Sequence, residues 1–217
     1  METFVLNQNG TILNSYISQI RDKKIQLDSW RFRRNLERIG EIFAYEISKT
    51  LEYSELEIKT PLGIAFENIP SNKIVLATIL RAGLPFHQGF LSMFDDAENC
   101  FVSAYRKYDE DGDFDIHIEY ISAPEIEGKT LILCDPMLAS GSSIVLAYQA
   151  LMKIGKPKHV HLATIIASQD GIDYLENNVF DDDVTLWCGA VDDELNAKSF
   201  IVPGIGDVGD LAFGKKL

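Results

Sequence analysis

The chain has 217 residues, 46% of them hydrophobic and 24% charged, with no low-complexity tract, which excludes disordered and fibrous classes and leaves room for one sizeable core. Its formal net charge of −13 opposes binding to a nucleic-acid backbone, which depends on Lys and Arg neutralising phosphates. No run approaches the roughly 18 apolar residues of a membrane helix, and Met1–Ser15 has no basic region followed by an apolar stretch, so we expect no membrane span, no secretory signal and a cytoplasmic protein.

In chain order, the first strong element is a helix from Trp30 to Leu51. Phe32, Leu36, Ile39, Phe43, Ile47 and Leu51 recur every three or four residues and form one stripe. Arg31, Arg33, Arg34, Glu37 and Arg38 fall mostly off it, and Ser29 is the expected cap. After Pro61 the period changes. Short apolar runs at Lys73–Leu80, Cys100–Tyr105, Thr130–Cys134, His159–Ala167 and Val184–Val191 read as strands. Helical segments Leu84–Met93, Ser142–Ile154 and Gln169–Glu176 lie between several of them. Strands with little alternation, separated by helices, predict a parallel sheet covered on both faces. His117–Ile121 alternates instead, after the charged stretch Asp109–Asp115, and predicts a half-exposed arm or hairpin. The glycine-rich Phe200–Gly214 is expected to form a shaped loop rather than a helix or strand.

The bland sites are quickly stated. Cys100, Cys134 and Cys188 are scattered in apolar runs with no CxxC pair, so they read as buried free thiols rather than a disulfide framework or zinc site. His87, His117, His159 and His161 have no metal-binding spacing, although His159 and His161 share a strand face. Asp181–Asp183 reads as a solvated turn, and Trp30 and Trp187 as core.

Chemistry concentrates in Thr130–Ser143, TLILCDPMLASGSS. A buried strand ends at Asp135, and Gly141-Ser142-Ser143 opens the next helix. Ligands of doubly wound sheets gather outside the carboxyl ends of strands. A Gly/Ser-rich turn at a helix N-terminus offers backbone N–H groups to a phosphate. A carboxylate beside it, Asp135, suits sugar hydroxyls or a magnesium ion. No Lys follows Gly141, so this is not a P-loop. Spacing alone leaves open a plain helix N-cap.

TLILCDPMLASGSS resembles the phosphoribosyl-pyrophosphate (PRPP) loop of uracil phosphoribosyltransferases, whose pattern is close to DPMLATGGS. Ala77–Leu84, ATILRAGL, is similar to that family's pyrophosphate loop, and Tyr105-Arg106 to the start of its mobile arm. Ile201–Asp210, IVPGIGDVGD, is similar to its base-binding segment IVPGLGDAGD, and Gln19–Lys23 and Phe32-Arg33 fit as well. The resemblance implies an α/β fold: one domain over 1–217 with a doubly wound, mostly parallel sheet of the type I phosphoribosyltransferase kind. It also implies a hood built from the N-terminal helices and about 190–217, and a mobile arm at about 105–123.

The implied reaction joins uracil to PRPP, giving UMP and diphosphate, with Arg81, Arg106, Asp135 and Asp207 in the catalytic roles. Arg81 and Arg106 would hold the diphosphate, and a guanidinium can do so in bidentate fashion. Asp135 would hold the ribose hydroxyls, and Pro136, Met137, Leu138, Ala139, Ser140, Gly141, Ser142 and Ser143 would surround the 5′-phosphate. Asp207 would stand on the magnesium side, with Mg2+ carried chiefly by PRPP and no protein ligand directly assigned. The backbone of Ile201, Gly206 and Val208, beside Asp207, would read uracil. The resemblance further implies a homodimer or higher homo-oligomer and leaves GTP open as an effector.

Departures from the family pattern are Ser140 for Thr, Ser142 for Gly, Val208 for Ala, Leu211 for Arg, Pro85-Phe86 for Gly-Met and Glu194 for Gly. Ser142 matters most if that position needs a positive φ. The alternatives are a phosphoribosyltransferase for another base, or an inactive regulator on the same fold that binds RNA or nucleotide.

Overall fold

The computed structural model describes residues 1–108 and 114–216, and side chains outside 104–117. Strand β1 (Glu2–Val5) leads through a short 3-10 turn to helix α1 (Ile12–Arg21), which opens with a Thr11 capping box. Helix α2 (Ser29–Ser48) carries the predicted stripe from Phe32 to Ile47 but ends three residues before Leu51, which is buried past its end. Its cap is Asp28 rather than Ser29: the Asp28 carboxylate accepts from the amides of Trp30 and Arg31, and a charged acceptor suits the positive helix end. Trp30 is 68% exposed, not core, because it lies in the first turn off the stripe.

Strands β2 (Tyr53–Thr60) and β3 (Gly63–Pro70) form an antiparallel hairpin that the sequence reading did not assign. The sheet proper continues with β4 (Ile74–Leu80), α3 (Leu84–Leu91), β5 (Glu98–Tyr108), β6 (Phe114–Ser122), β7 (Thr130–Cys134), β8 (Met137–Leu138) and α4 (Ser142–Met152). Then follow β9 (His159–Ser168), α5 (Gln169–Glu176) and β10 (Val184–Asp192), and the chain closes with β11 (Glu194–Leu195), β12 (Ile201–Val202) and α6 (Val208–Phe213). The strand order is β1-β10-β9-β7-β4-β5-β6, with β8 on β9. Within this sheet all pairs are parallel except β5–β6, an antiparallel pair in the region where an arm or hairpin was expected.

Because successive side chains of a strand face opposite ways, each buried strand contributes to two cores. Ile74, Leu76, Ile132, Ala163 and Trp187 pack under α1, α2 and α3, where Phe43, Phe86 and Phe90 meet edge-on. Val75, Ala77, Leu131, Leu133, Leu162 and Leu186 pack on the other face under α4 and α5. This two-sided burial explains the runs without alternation. Trp187 and the three cysteines are buried as expected, and burial pushes the thiols of Cys134 and Cys188 up to about 12. No helix among the described residues is long and apolar enough to cross a membrane.

Candidate active site

Three segments emerge at the carboxyl ends of β4, β7 and β10. The first two are neighbours, with Thr78 paired to Cys134 across the sheet. The Thr78 hydroxyl also donates to the Cys134 carbonyl at 3.1 Å. Arg81 therefore leaves one strand beside the point where Asp135 leaves the next.

Asp135 is 9% exposed, and burial pushes its carboxyl up to about 7, against the lowering effect of the Met137 amide. A buried carboxyl group with so little compensation, at the end of a sheet strand, marks a candidate functional residue. After it, the Pro136 carbonyl accepts from the amides of Ile165 and Ile166, both at 3.1 Å. The Ser168 hydroxyl donates to the Ala139 carbonyl at 2.7 Å and accepts from the Gly171 amide at 2.9 Å. The loop is thus fastened to the end of β9 and the start of α5.

Gly141 takes φ +81, and a Cβ there would come within 2.9 Å of the Gly171 carbonyl and of Tyr174 Cδ1. Left-handed geometry and close approach both call for glycine. The departure at Ser142 is absorbed, because Ser142 is the first residue of α4 and the positive φ falls on Gly141. No side chain caps α4, so its N-terminal amides are not taken up by a plain N-cap. Ser140 and Ser142 hydroxyls lie 3.2 Å apart at its mouth.

The third segment is Ile201–Asp210. It contains more regular structure than expected: β12 pairs with β11, and Val208–Phe213 is a helical turn and a half. The six residues from Val208 carry only one glycine, Gly209, so the loop's flexibility is concentrated before them, at Gly204 and Gly206. Asp207 is exposed and caps this helix, accepting from the Asp210 amide at 2.9 Å. Ile201 and Val208 are buried and Gly206 is exposed.

The other departures are absorbed too. Val208 spends its extra methyls in the core, and Leu211 packs half-buried against the same cluster. Phe86 is fully buried, Pro85 sits in the first turn of α3, and Glu194 lies in β11 without a positive φ.

Arg81 joins the first segment to the third. Its Nη2 lies 3.5 Å from Asp210 Oδ1 and donates to the Gly214 carbonyl at 3.3 Å. Asp210 was not among the residues singled out from the sequence, although it closes the GDVGD motif. The side chains of Tyr105 and Arg106 lie outside the described residues. Among the described residues no three His, Cys, Asp or Glu side chains form a metal cage. Asp135 and Asp207 are nonetheless hard oxygen donors of the kind Mg2+ takes one or two at a time, completing its shell with water and substrate phosphates.

The family model described as uracil phosphoribosyltransferase matches residues 8–215. The chain belongs to the uracil phosphoribosyltransferase family. The uracil phosphoribosyltransferase of Porphyromonas gingivalis is 55% identical over 217 residues, 100% of both chains. That of Methanothermobacter thermautotrophicus is 38% identical over 209 residues, 95% of this chain and 94% of the relative. A solved protein of Aquifex aeolicus superposes with TM-score 0.86 at 30% identity, covering 98% of each chain. A hypoxanthine phosphoribosyltransferase of Staphylococcus aureus, at TM-score 0.50, 12% identity and 75% of this chain, shares the fold. The α/β class with a mostly parallel sheet, expected from the sequence, is therefore that of this wider set of phosphoribosyltransferases.

Proposed function

We propose that the chain transfers the phosphoribosyl group of PRPP to uracil, forming the glycosidic C–N bond of UMP as the C–O bond to diphosphate breaks and the N1 proton of uracil is released. The observation that carries this reading is the convergence of three loops at the carboxyl end of the sheet: an uncapped helix mouth, a buried carboxyl group and an arginine that reaches the third loop. In the proposal Asp135 holds the ribose hydroxyls, Pro136–Ser143 surround the 5′-phosphate, and Arg81 and Arg106 take the diphosphate. The transition state is oxocarbenium-like, as in glycoside cleavage, so stabilising charge on the leaving group is the main task. When bound, Mg2+ supplies further neutralisation of the diphosphate; Asp207, with PRPP itself, would hold it. No covalent nucleophile is required.

Uracil would be read by the backbone of Ile201, Gly206 and Val208. A fixed N–H donor facing the uracil carbonyl is left unpaired by cytosine's amino group, which costs orders of magnitude. In the same reading α1, α2 and about 190–217 form the hood over the base, about 105–123 forms the arm, and the protein works in the cytoplasm as a homo-oligomer. The exposed Leu56, Leu62, Ile64 and Phe66 of the β2–β3 hairpin offer apolar surface for such an assembly.

The test is turnover of uracil, cytosine and purine bases with PRPP and magnesium, with products separated by chromatography. We expect UMP from uracil alone, lost on chelation and reduced at least about a hundredfold in Arg81→Ala. Product from another base would move the substrate assignment. Absence of product from every base, with RNA or nucleotide binding, would make this a regulator on the same fold.

A further inference from the structure

The third loop rests on a half-buried ion pair that lies outside the 201–210 segment and has none of the proposed roles. Arg21, at the end of α1, donates through Nη2 to Asp192 Oδ1 at 2.7 Å and through Nη1 to Asp192 Oδ2 at 2.8 Å. Nη1 donates again to the Gly204 carbonyl at 3.0 Å. Asp192 Oδ2 in turn accepts from the Gly204 amide at 2.9 Å. Both polar groups of the Gly204 peptide positions are therefore held by one two-residue clamp.

Asp192 is 7% exposed at the end of β10, a strand buried on both sides of the sheet, so the clamp is tied to the core rather than to another loop. A fork-shaped guanidinium can serve a carboxylate and a carbonyl together, which a lysine cannot. Gln26 adds a third fastening once its amide is oriented to place nitrogen, not oxygen, toward the carbonyls of Ile205 and Ile20, each at 3.0 Å. Gly204 itself takes φ +56, and a Cβ there would fall 2.2 Å from the Ile201 carbonyl.

We infer that the Arg21–Asp192 pair is a positioning device for base selection: it fixes the Gly204 turn so that the backbone of Ile201 and Gly206, on either side, meets uracil in one geometry. Neither side chain touches the reacting atoms. The inference rests on the proposed transfer to uracil and assigns the cause of its specificity. Backbone recognition discriminates only while the donor cannot follow the wrong base, and a turn tied at both its amide and its carbonyl cannot follow.

The experiment compares wild type with Arg21→Lys, Asp192→Asn, the double variant and Gln26→Ala. Two readouts are taken, steady-state kinetics with each base and hydrogen exchange of the peptide covering 201–210. We expect KM for uracil to rise about tenfold or more in Arg21→Lys and Asp192→Asn, because small misplacement at a recognition site is costly. KM for PRPP should stay within about twofold and the preference over cytosine should fall. The double variant should be no worse than either single one, since both remove the same clamp. Exchange at 201–210 should accelerate without change elsewhere, even if wild type proved inactive on uracil, so the clamp and the function are tested separately. If Arg21→Lys or Asp192→Asn fails to fold, Gln26→Ala must show the same pattern at smaller size. Equal losses for uracil and PRPP, or unchanged exchange in a folded variant, would overturn the proposal.

Discussion

The proposed phosphate loop and the proposed base loop are built in opposite ways. Residues 135–143 lean on what lies nearby: the Ala139 carbonyl is held by Ser168, 29 positions on, at the tip of an adjoining strand. The base loop and the residues around it lean on distant parts of the chain. Arg21 reaches Asp192 across 171 positions, Arg33 donates to the Ala212 carbonyl across 179, and Arg81 reaches Gly214 across 133. A phosphate is the same anion in every substrate, so a turn at a helix mouth suffices. A base must be told from its isosteres, which demands a backbone held rigid from outside.

Two glycine substitutions sharpen this contrast most. Gly204→Ala and Gly141→Ala each put a Cβ into a left-handed position, at about 1–2 kcal/mol from the backbone alone. Each also creates an overlap. Gly204→Ala should raise KM for uracil about tenfold to a hundredfold and leave PRPP nearly alone. Gly141→Ala should do the reverse. Kinetics with each substrate varied in turn would show it, and equal effects on both would erase the distinction.

A second test uses Asp135. Burial holds its carboxyl near 7 instead of the ordinary 3.8, so ionising it works against the folded state. Its adverse contribution grows as pH rises through that window, levels off above it, and vanishes below. Asp135→Asn should therefore raise Tm at about pH 8, by a free energy of a few kcal/mol at most, with the gain gone by about pH 4. Turnover should fall at the same time. A Tm gain independent of pH would mean that ionisation is not its source. The smallest effect is expected from Ser142→Gly, which adds backbone freedom in the first turn of α4 and should cost about 1 kcal/mol or less by thermal melting. A larger loss, or a change in base choice, would mean that the serine does more than open the helix.

The same contrast separates what was legible in the sequence from what was not. Thr130–Cys134 and Gln169–Glu176 have the bounds expected from apolar runs and helical spacing, because two-sided burial leaves a strong local pattern. The motif at Ile201–Asp210 was readable, but its supports were not: Arg21 and Asp192 are partners only once the sheet has brought them together. The β2–β3 hairpin went unassigned because its apolar residues lie on both faces, with Leu56 and Ile58 on one and Ile64 and Phe66 on the other, so no alternation marks a core side. Trp30 was misjudged for a related reason: residue type suggested burial, and position in the helix decided otherwise.

Strand β1 carries one more consequence, for how the molecule comes into being. Glu2 pairs with Thr185 and Val5 with Cys188, in parallel, at the sheet's edge. Strand β1 thus waits for a segment far later in the sequence before it has a strand neighbour, and α1, which ends at Arg21, likewise waits for Asp192. Closing so long a stretch of chain is slow relative to local pairing. Assembly of this protein should run from the central strands outward, with β1, α1 and the 201–210 loop settling together as its final step.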